Sequence, residues 1–168
     1  MGFTLIELIL ILALLVVITS LATPVVSRFI RGRALDSEAR RLYALTHAAQ
    51  SRAVSEGMPM MLWVDEKNGA YGLAEETPGK TGGKAGNQAA DPKAEDLTVD
   101  STLRIAVMNV GLGTPTTFNN LPAIRFLPDG TVDEDSPQTL ELADADGFTR
   151  WLLLNKMRTG YEISDTKP

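Results

Sequence analysis

Between Leu8 and Val26 the chain carries no charged residue, and Thr19, Ser20 and Thr23 are its only hydroxyl-bearing side chains there. A helix needs roughly 20 apolar residues, at about 1.5 Å each, to cross a bilayer core. The run therefore predicts a membrane-spanning helix over residues 3–26. A secretory signal peptide is the competing reading, and Ser20-Leu21-Ala22 offers a small-residue cleavage site. Such peptides have a shorter apolar core and a basic start, and no basic residue precedes this run. Glu7 interrupts the pattern at its beginning. A carboxylate in lipid costs a few kcal/mol on insertion scales, so it marks function unless it rests among the headgroups. Both placements fit its position near the chain start.

The apolar run does not end in a turn signal. Leu35, Ala39, Leu42, Leu45, Ala49 and Ala53 recur at three- and four-residue spacing, one face of an amphipathic helix. Arg40, Arg41, Gln50 and Arg52 are expected on the opposite side. Gly57 followed by Pro59 predicts the stop, and Gly32 is a place where the helix could loosen. Residues 27–57 thus continue the membrane segment as one long helix. Charge divides the chain as well. Arg28, Arg31 and Arg33 follow the apolar run, and beyond Arg33 13 Lys and Arg face 20 Asp and Glu, a net −7. An acidic body is a poor match for nucleic acid, whose phosphates call for Lys/Arg patches.

Residues 58–168 read as a β domain. The stretch from Met58 gives a strand, a turn at Asn68-Gly69 and a second strand. Further strands are expected at Leu103–Val107, Ile124–Phe126, Val132, around Leu140 and Leu142, at Thr149–Asn155 and at Tyr161–Ser164. Turns are expected at Asp129-Gly130, Asp146-Gly147 and Gly160. Short strands with turns every ten or so residues indicate an antiparallel sheet or sandwich, and the helix face from Leu35 to Ala53 would cover one sheet surface. Residues 75–96, rich in Gly, Lys, Ala, Pro and acids, predict a long solvated loop. The fold class is therefore α+β.

Chemistry-bearing motifs are sparse. The chain has no cysteine, which excludes disulfides, thiolate metal sites and thiol nucleophiles. His47 is the single histidine and lacks a second ligand at metal spacing. "GKTGGKAG" holds Gly79-Lys80-Thr81 without the upstream glycine, strand and helix of a phosphate loop. Asp133-Glu134-Asp135 and the Asp144/Asp146 pair fall short of a calcium loop's ligand set. We expect no catalytic residue, no cofactor and no metal.

The opening "GFTLIEL", followed by a spanning helix, resembles the N-terminus of type IV pilins and type II secretion pseudopilins. The resemblance implies cleavage by a prepilin peptidase between Gly2 and Phe3, N-methylation of Phe3, and an assembly role for Glu7. Pro24 falls where many pilins carry a helix-loosening proline. Proline removes a backbone hydrogen bond and crowds the preceding turn, and a bundle can re-satisfy the freed groups. Packed against neighbours, Glu7 needs a partner charge, for which a neighbour's newly freed terminal amine is suited. It would thereby act as a register device. Only Met1 and Gly2 precede the cut, fewer than the basic leaders typical of the family, so a start set too late or a trimmed leader is expected.

The later segments "AAQSRAVSEGMPMMLWV" and "IRFLPDGTV" through "GYEIS" resemble the GspH/FimT group of minor pseudopilins. Met1 to Val64 and Ile124 to Ser164 carry that likeness. It implies a non-enzymatic, single-pass inner-membrane protein with its β domain in the periplasm, built into a type II secretion pseudopilus. Its partners would be other pseudopilins, the prepilin peptidase, the inner-membrane assembly platform and secreted cargo. The alternative is a minor pilin of a type IV pilus or DNA-uptake system, for which Lys156 and Arg158 would be the basic pair near the final turn. A membrane-anchored enzyme is the more distant rival.

Overall fold

The computed structural model describes residues 4–76, 94–108 and 115–168, with the side chains of 21–31 outside that description. One helix, α1, runs from Leu5 to Glu56, 52 residues and about 78 Å at 1.5 Å per residue. It passes through Gly32 and Pro24 as a single element. Its end follows from local chemistry. Gly57 takes the left-handed conformation at φ 68°, which closes a helix at little cost only when no Cβ is present.

Among the described residues nine strands follow: β1 Met60–Asp65, β2 Ala70–Glu75, β3 Glu95–Thr98, β4 Leu103–Met108, β5 Thr117–Phe118, β6 Leu121–Phe126, β7 Thr139–Asp144, β8 Thr149–Leu154 and β9 Tyr161–Ser164. They form two antiparallel sheets, ordered β3-β2-β1-β6-β5 and β4-β7-β8-β9. Glu66 joins them, accepting the Val107 N–H at 2.5 Å.

The helix stripe is the centre of the core. Leu35, Ala39, Leu42, Leu45, Ala49 and Ala53 are all buried and share one cluster with Leu62, Leu73, Ile124, Phe126, Leu140, Leu142 and Leu152 from the sheets. Each fully buried Leu contributes roughly 1.5–3 kcal/mol, so this face fixes the helix to both sheets. The alanines let the helix approach closely.

Several local expectations shift. Val132 forms an isolated bridge to Phe126 rather than a strand. The loop placed at 75–96 is shorter at both ends: Glu75 closes β2 and Glu95 opens β3. Residues 77–93, with "GKTGGKAG", lie outside the described residues. The final turn takes its positive φ at Arg158 (56°), not at Gly160. Gln50 and Arg52 do not lie on a free solvent face. Gln50 Nε2 donates to Gly130 O (2.7 Å) and Thr159 O (2.5 Å), and Arg52 pairs with Glu56 and Glu75. These bonds tie the helix end to the β-domain turns. Strand β5 lies outside the expected strands. Its signal was Asn119-Asn120, both at positive φ, in the two-residue turn that joins β5 to β6.

Candidate assembly surface

Helix α1 begins at a cap. Thr4 is extended (φ −79°, ψ 150°), and its Oγ1 accepts the Glu7 N–H at 3.4 Å while its carbonyl accepts the Leu8 N–H at 3.2 Å. The Thr4-x-x-Glu7 spacing is that of a capping box. It seats Glu7 in the first turn, where a negative charge complements the positive end of the helix dipole. Glu7 is exposed.

Around Glu7 the helix is apolar on every side. Leu5, Ile9, Leu12, Leu15 and Ile18 are among a dozen large apolar residues left at 46–79% exposure. An exposed apolar surface of this extent marks an interface or a membrane contact. The polar interruptions are satisfied within the helix. Thr19 Oγ1 donates to Leu15 O (2.8 Å) and Val16 O (3.0 Å), and Ser20 Oγ to Val17 O (2.8 Å). Hydroxyls bonded back in this way do not demand water. Among the described residues no helix is long and apolar enough to cross a membrane. The described side chains of this run stop at Ser20, short of the expected end at Val26.

Of the other expected site residues, Gly2 and Phe3 lie outside the described residues, as does the side chain of Pro24, whose backbone is helical. Glu7 is thus the sequence-derived site residue whose surroundings are visible.

The acids serve turns. Asp144 Oδ1 accepts the N–H groups of Asp146 and Phe148, and Asp133 Oδ1 that of Asp135. Asp65, Asp100 and Asp129 cap turns likewise. Hydrogen bonds from Asn68, Thr102 and Thr131 respectively hold these carboxyls below the usual aspartate range. No group of His, Cys, Asp and Glu among the described residues is arranged to hold a metal ion. His47 is exposed and stacks edge-on to Tyr43, ring centroids 4.6 Å apart. Arg158 turns its guanidinium onto the carbonyls of Val132 and Asp133, so it does not pair with Lys156 as an open basic site.

One buried polar pair escaped sequence reading. The Tyr71 hydroxyl donates to Glu38 Oε1 at 2.6 Å, in the interior between α1 and β2. Burial, reinforced by the neighbouring Glu38, pushes the Tyr71 phenol well above its ordinary range. Arg41 neutralises Glu38 from the rim at 3.7 Å. No local pattern announces a contact across 33 residues.

A family profile described as "Type II transport protein GspH" matches residues 38–156, well over half of the chain. The chain belongs to the GspH family. Its fold is shared with solved structures of low sequence identity. The minor pseudopilin EpsH of the Vibrio cholerae type II secretion system aligns at TM-score 0.57 and 14% identity, over 81% of this chain and 96% of that one. A second EpsH structure aligns at 0.54 and 16%, over 78% and 96%. The type IV minor pilin FimU of Pseudomonas aeruginosa aligns at 0.55 and 17%, over 83% and 92%. Among curated proteins none matches the chain. The family profile begins at Glu38 and so does not include Glu7 or the apolar helix half.

Proposed function

We propose that this GspH-family chain is a minor pseudopilin, a structural subunit that passes from the inner membrane into a periplasmic type II secretion pseudopilus. The observation that carries this reading is the division of α1. One continuous helix buries its second half in a β domain and offers its first half, apolar all round and tipped by Glu7, to something outside the chain. Lipid suits the apolar side chains but not the carboxylate. A bundle of identical or related helices suits both, because a neighbour's terminal amine can match Glu7.

In this reading a prepilin peptidase cuts between Gly2 and Phe3, and Phe3 becomes the methylated terminus. Residues 3–26 span the membrane before extraction, and Pro24 loosens the helix so that it can adjust to its neighbours. Other pseudopilins, the assembly platform and secreted cargo are the partners. No catalytic role is assigned. The likeness to FimU supports a second reading, a minor pilin of a type IV system. The Glu134 and Asp135 carboxylates beside Arg158 disfavour a DNA-uptake version of it, since acids repel phosphate.

The test is the terminus of the full chain recovered from membranes and from sheared filaments. A chain beginning at Phe3 and carrying one added methyl group, present in both fractions, supports the reading. A chain that keeps Met1 and Gly2, or that never enters filaments, contradicts it.

A further inference from the structure

Among the described residues Met157 is 82% exposed, more than any other large apolar side chain beyond the first half of α1. Its backbone is nonetheless firmly held. The 155–160 turn closes through Asn155 N–H to Gly160 O (3.0 Å), Arg158 N–H to Asn155 O (3.0 Å) and Thr159 N–H to Asn155 Oδ1 (2.9 Å). Val132 N–H donates to Arg158 O at 2.7 Å, and the Arg158 guanidinium caps the carbonyls of Val132 and Asp133. Arg158 itself sits at φ 56°, a left-handed conformation that costs a non-glycine residue free energy and persists only where the surroundings enforce it. The turn thus presents an apolar knob on a rigid mount.

Beside the knob lies an open groove of about 480 Å³, with Val132, Leu127 and Met157 supplying apolar wall and Glu134 and Asp135 supplying charge. Asp133 is partly neutralised by Arg125 at 3.5 Å. Glu134 is exposed and makes no ion pair among the described residues. Among the described residues the one cation in the groove wall, Arg158, is spent on carbonyls, and Lys156 does not line the groove. Gln50 and Val54 place this surface at the C-terminal end of α1, opposite its apolar half.

We infer that this groove is a docking surface for a segment of a different pilin-like subunit, one that carries an apolar side chain flanked by Lys or Arg. Charge complementarity selects the occupant: two acids with no free cation favour a basic partner and repel an acidic one. The rigid mount lowers the ordering cost of binding, and the unbranched Met side chain adapts to an apolar contact. A second copy of this chain is a poorer occupant: its own Met157 stands between Lys156 and Arg158, but Arg158 is held on the Val132 and Asp133 carbonyls, and two bodies that each carry a net −7 beyond Arg33 repel one another. The inference rests on the filament-subunit reading above.

Because the chain has no cysteine, Met157→Cys places a single thiol at the knob. The full chain carrying it, labelled with a benzophenone in cells that assemble filaments, is expected to form a photo-adduct with another subunit at a segment containing Lys or Arg next to an apolar residue. Adding Glu134→Lys and Asp135→Lys should lower the adduct yield about ten-fold, equivalent to about 1.4 kcal/mol, with an unchanged thermal midpoint of the β domain. If the chain enters filaments but yields no adduct, or the adduct maps to an acidic or uncharged segment, to a second copy or to residues 77–93 of the same chain, the docking surface is refuted while the filament reading stands. An adduct insensitive to the two charge reversals also refutes it. If the chain never enters filaments, the filament reading fails and the docking surface falls with it.

Discussion

The two halves of α1 are made of the same helix and obey opposite rules. In the second half Leu42 is fully buried and its apolar neighbours recur every three to four residues. In the first half Leu12 is 52% exposed and apolar side chains face every direction. A stripe specifies one partner surface, which the chain carries itself in its two sheets. An all-round apolar cylinder specifies an environment, lipid or a ring of other helices, which the chain must find elsewhere. The difference teaches that stability of the β domain and, in the proposed function, competence to assemble are stored in separate stretches of one element.

That separation can be broken experimentally, and the largest effect should come from the buried stripe. Leu42→Ala is expected to cost the domain about 2–5 kcal/mol through lost burial and a residual cavity, whereas Leu12→Ala should leave the thermal midpoint of the domain unchanged. Equal losses from both would erase the distinction. Next comes Gly72. A Cβ there would collide with the Glu95 carbonyl and the Trp63 ring, which lies across the strand pair from it. Gly72→Ala should therefore cost about 1–3 kcal/mol in denaturant titrations and loosen β3.

A loss of similar size sharpens the contact between the second half and the sheet. Tyr71→Phe removes the hydrogen bond to Glu38 and leaves a buried carboxylate oxygen short of a donor, for about 1–3 kcal/mol. An additional Glu38→Gln substitution should recover part of that loss, and an unchanged midpoint in the single variant would show that Arg41 alone satisfies Glu38.

The smallest effect is a pH dependence. The Asp129 carboxylate accepts both the N–H and the hydroxyl of Thr131, which lowers its folded pKa below the ordinary 3.8. Its stabilising contribution is then fully present above the unfolded value and is lost as pH falls through the lowered one. The thermal midpoint should decline through this acid range, and Asp129→Asn should make the decline slightly shallower. A steeper decline in the variant would reverse the assigned sign.

What was legible in the sequence follows the same division. Periodicity is a local signal, so the Leu35–Ala53 stripe and the Gly57 stop emerge with the correct residues. Asn68-Gly69, Asp129-Gly130 and Asp146-Gly147 likewise mark turns in which each glycine has positive φ. Strand β3 was hidden because "EDLT" is almost wholly exposed at a sheet edge and carries no burial pattern. The bonds from Gln50 to Thr159 and from Tyr71 to Glu38 join positions 109 and 33 residues apart, and no spacing rule predicts such pairs. The docking groove was unreadable for the same reason: Glu134 and Met157 meet only once Arg158 folds back onto Val132 and Asp133. Glu7 stood out because a carboxylate in an apolar run is anomalous on its own terms.

The most direct test is Glu7→Val in the full chain, measured as the fraction of the protein in sheared filaments against the fraction in membranes. With Glu7 as the matched charge of the helix bundle, the variant should stay in the membrane, keep the thermal midpoint of its β domain and lose most of its filament incorporation. Undiminished incorporation would contradict the assembly role of the first half of α1.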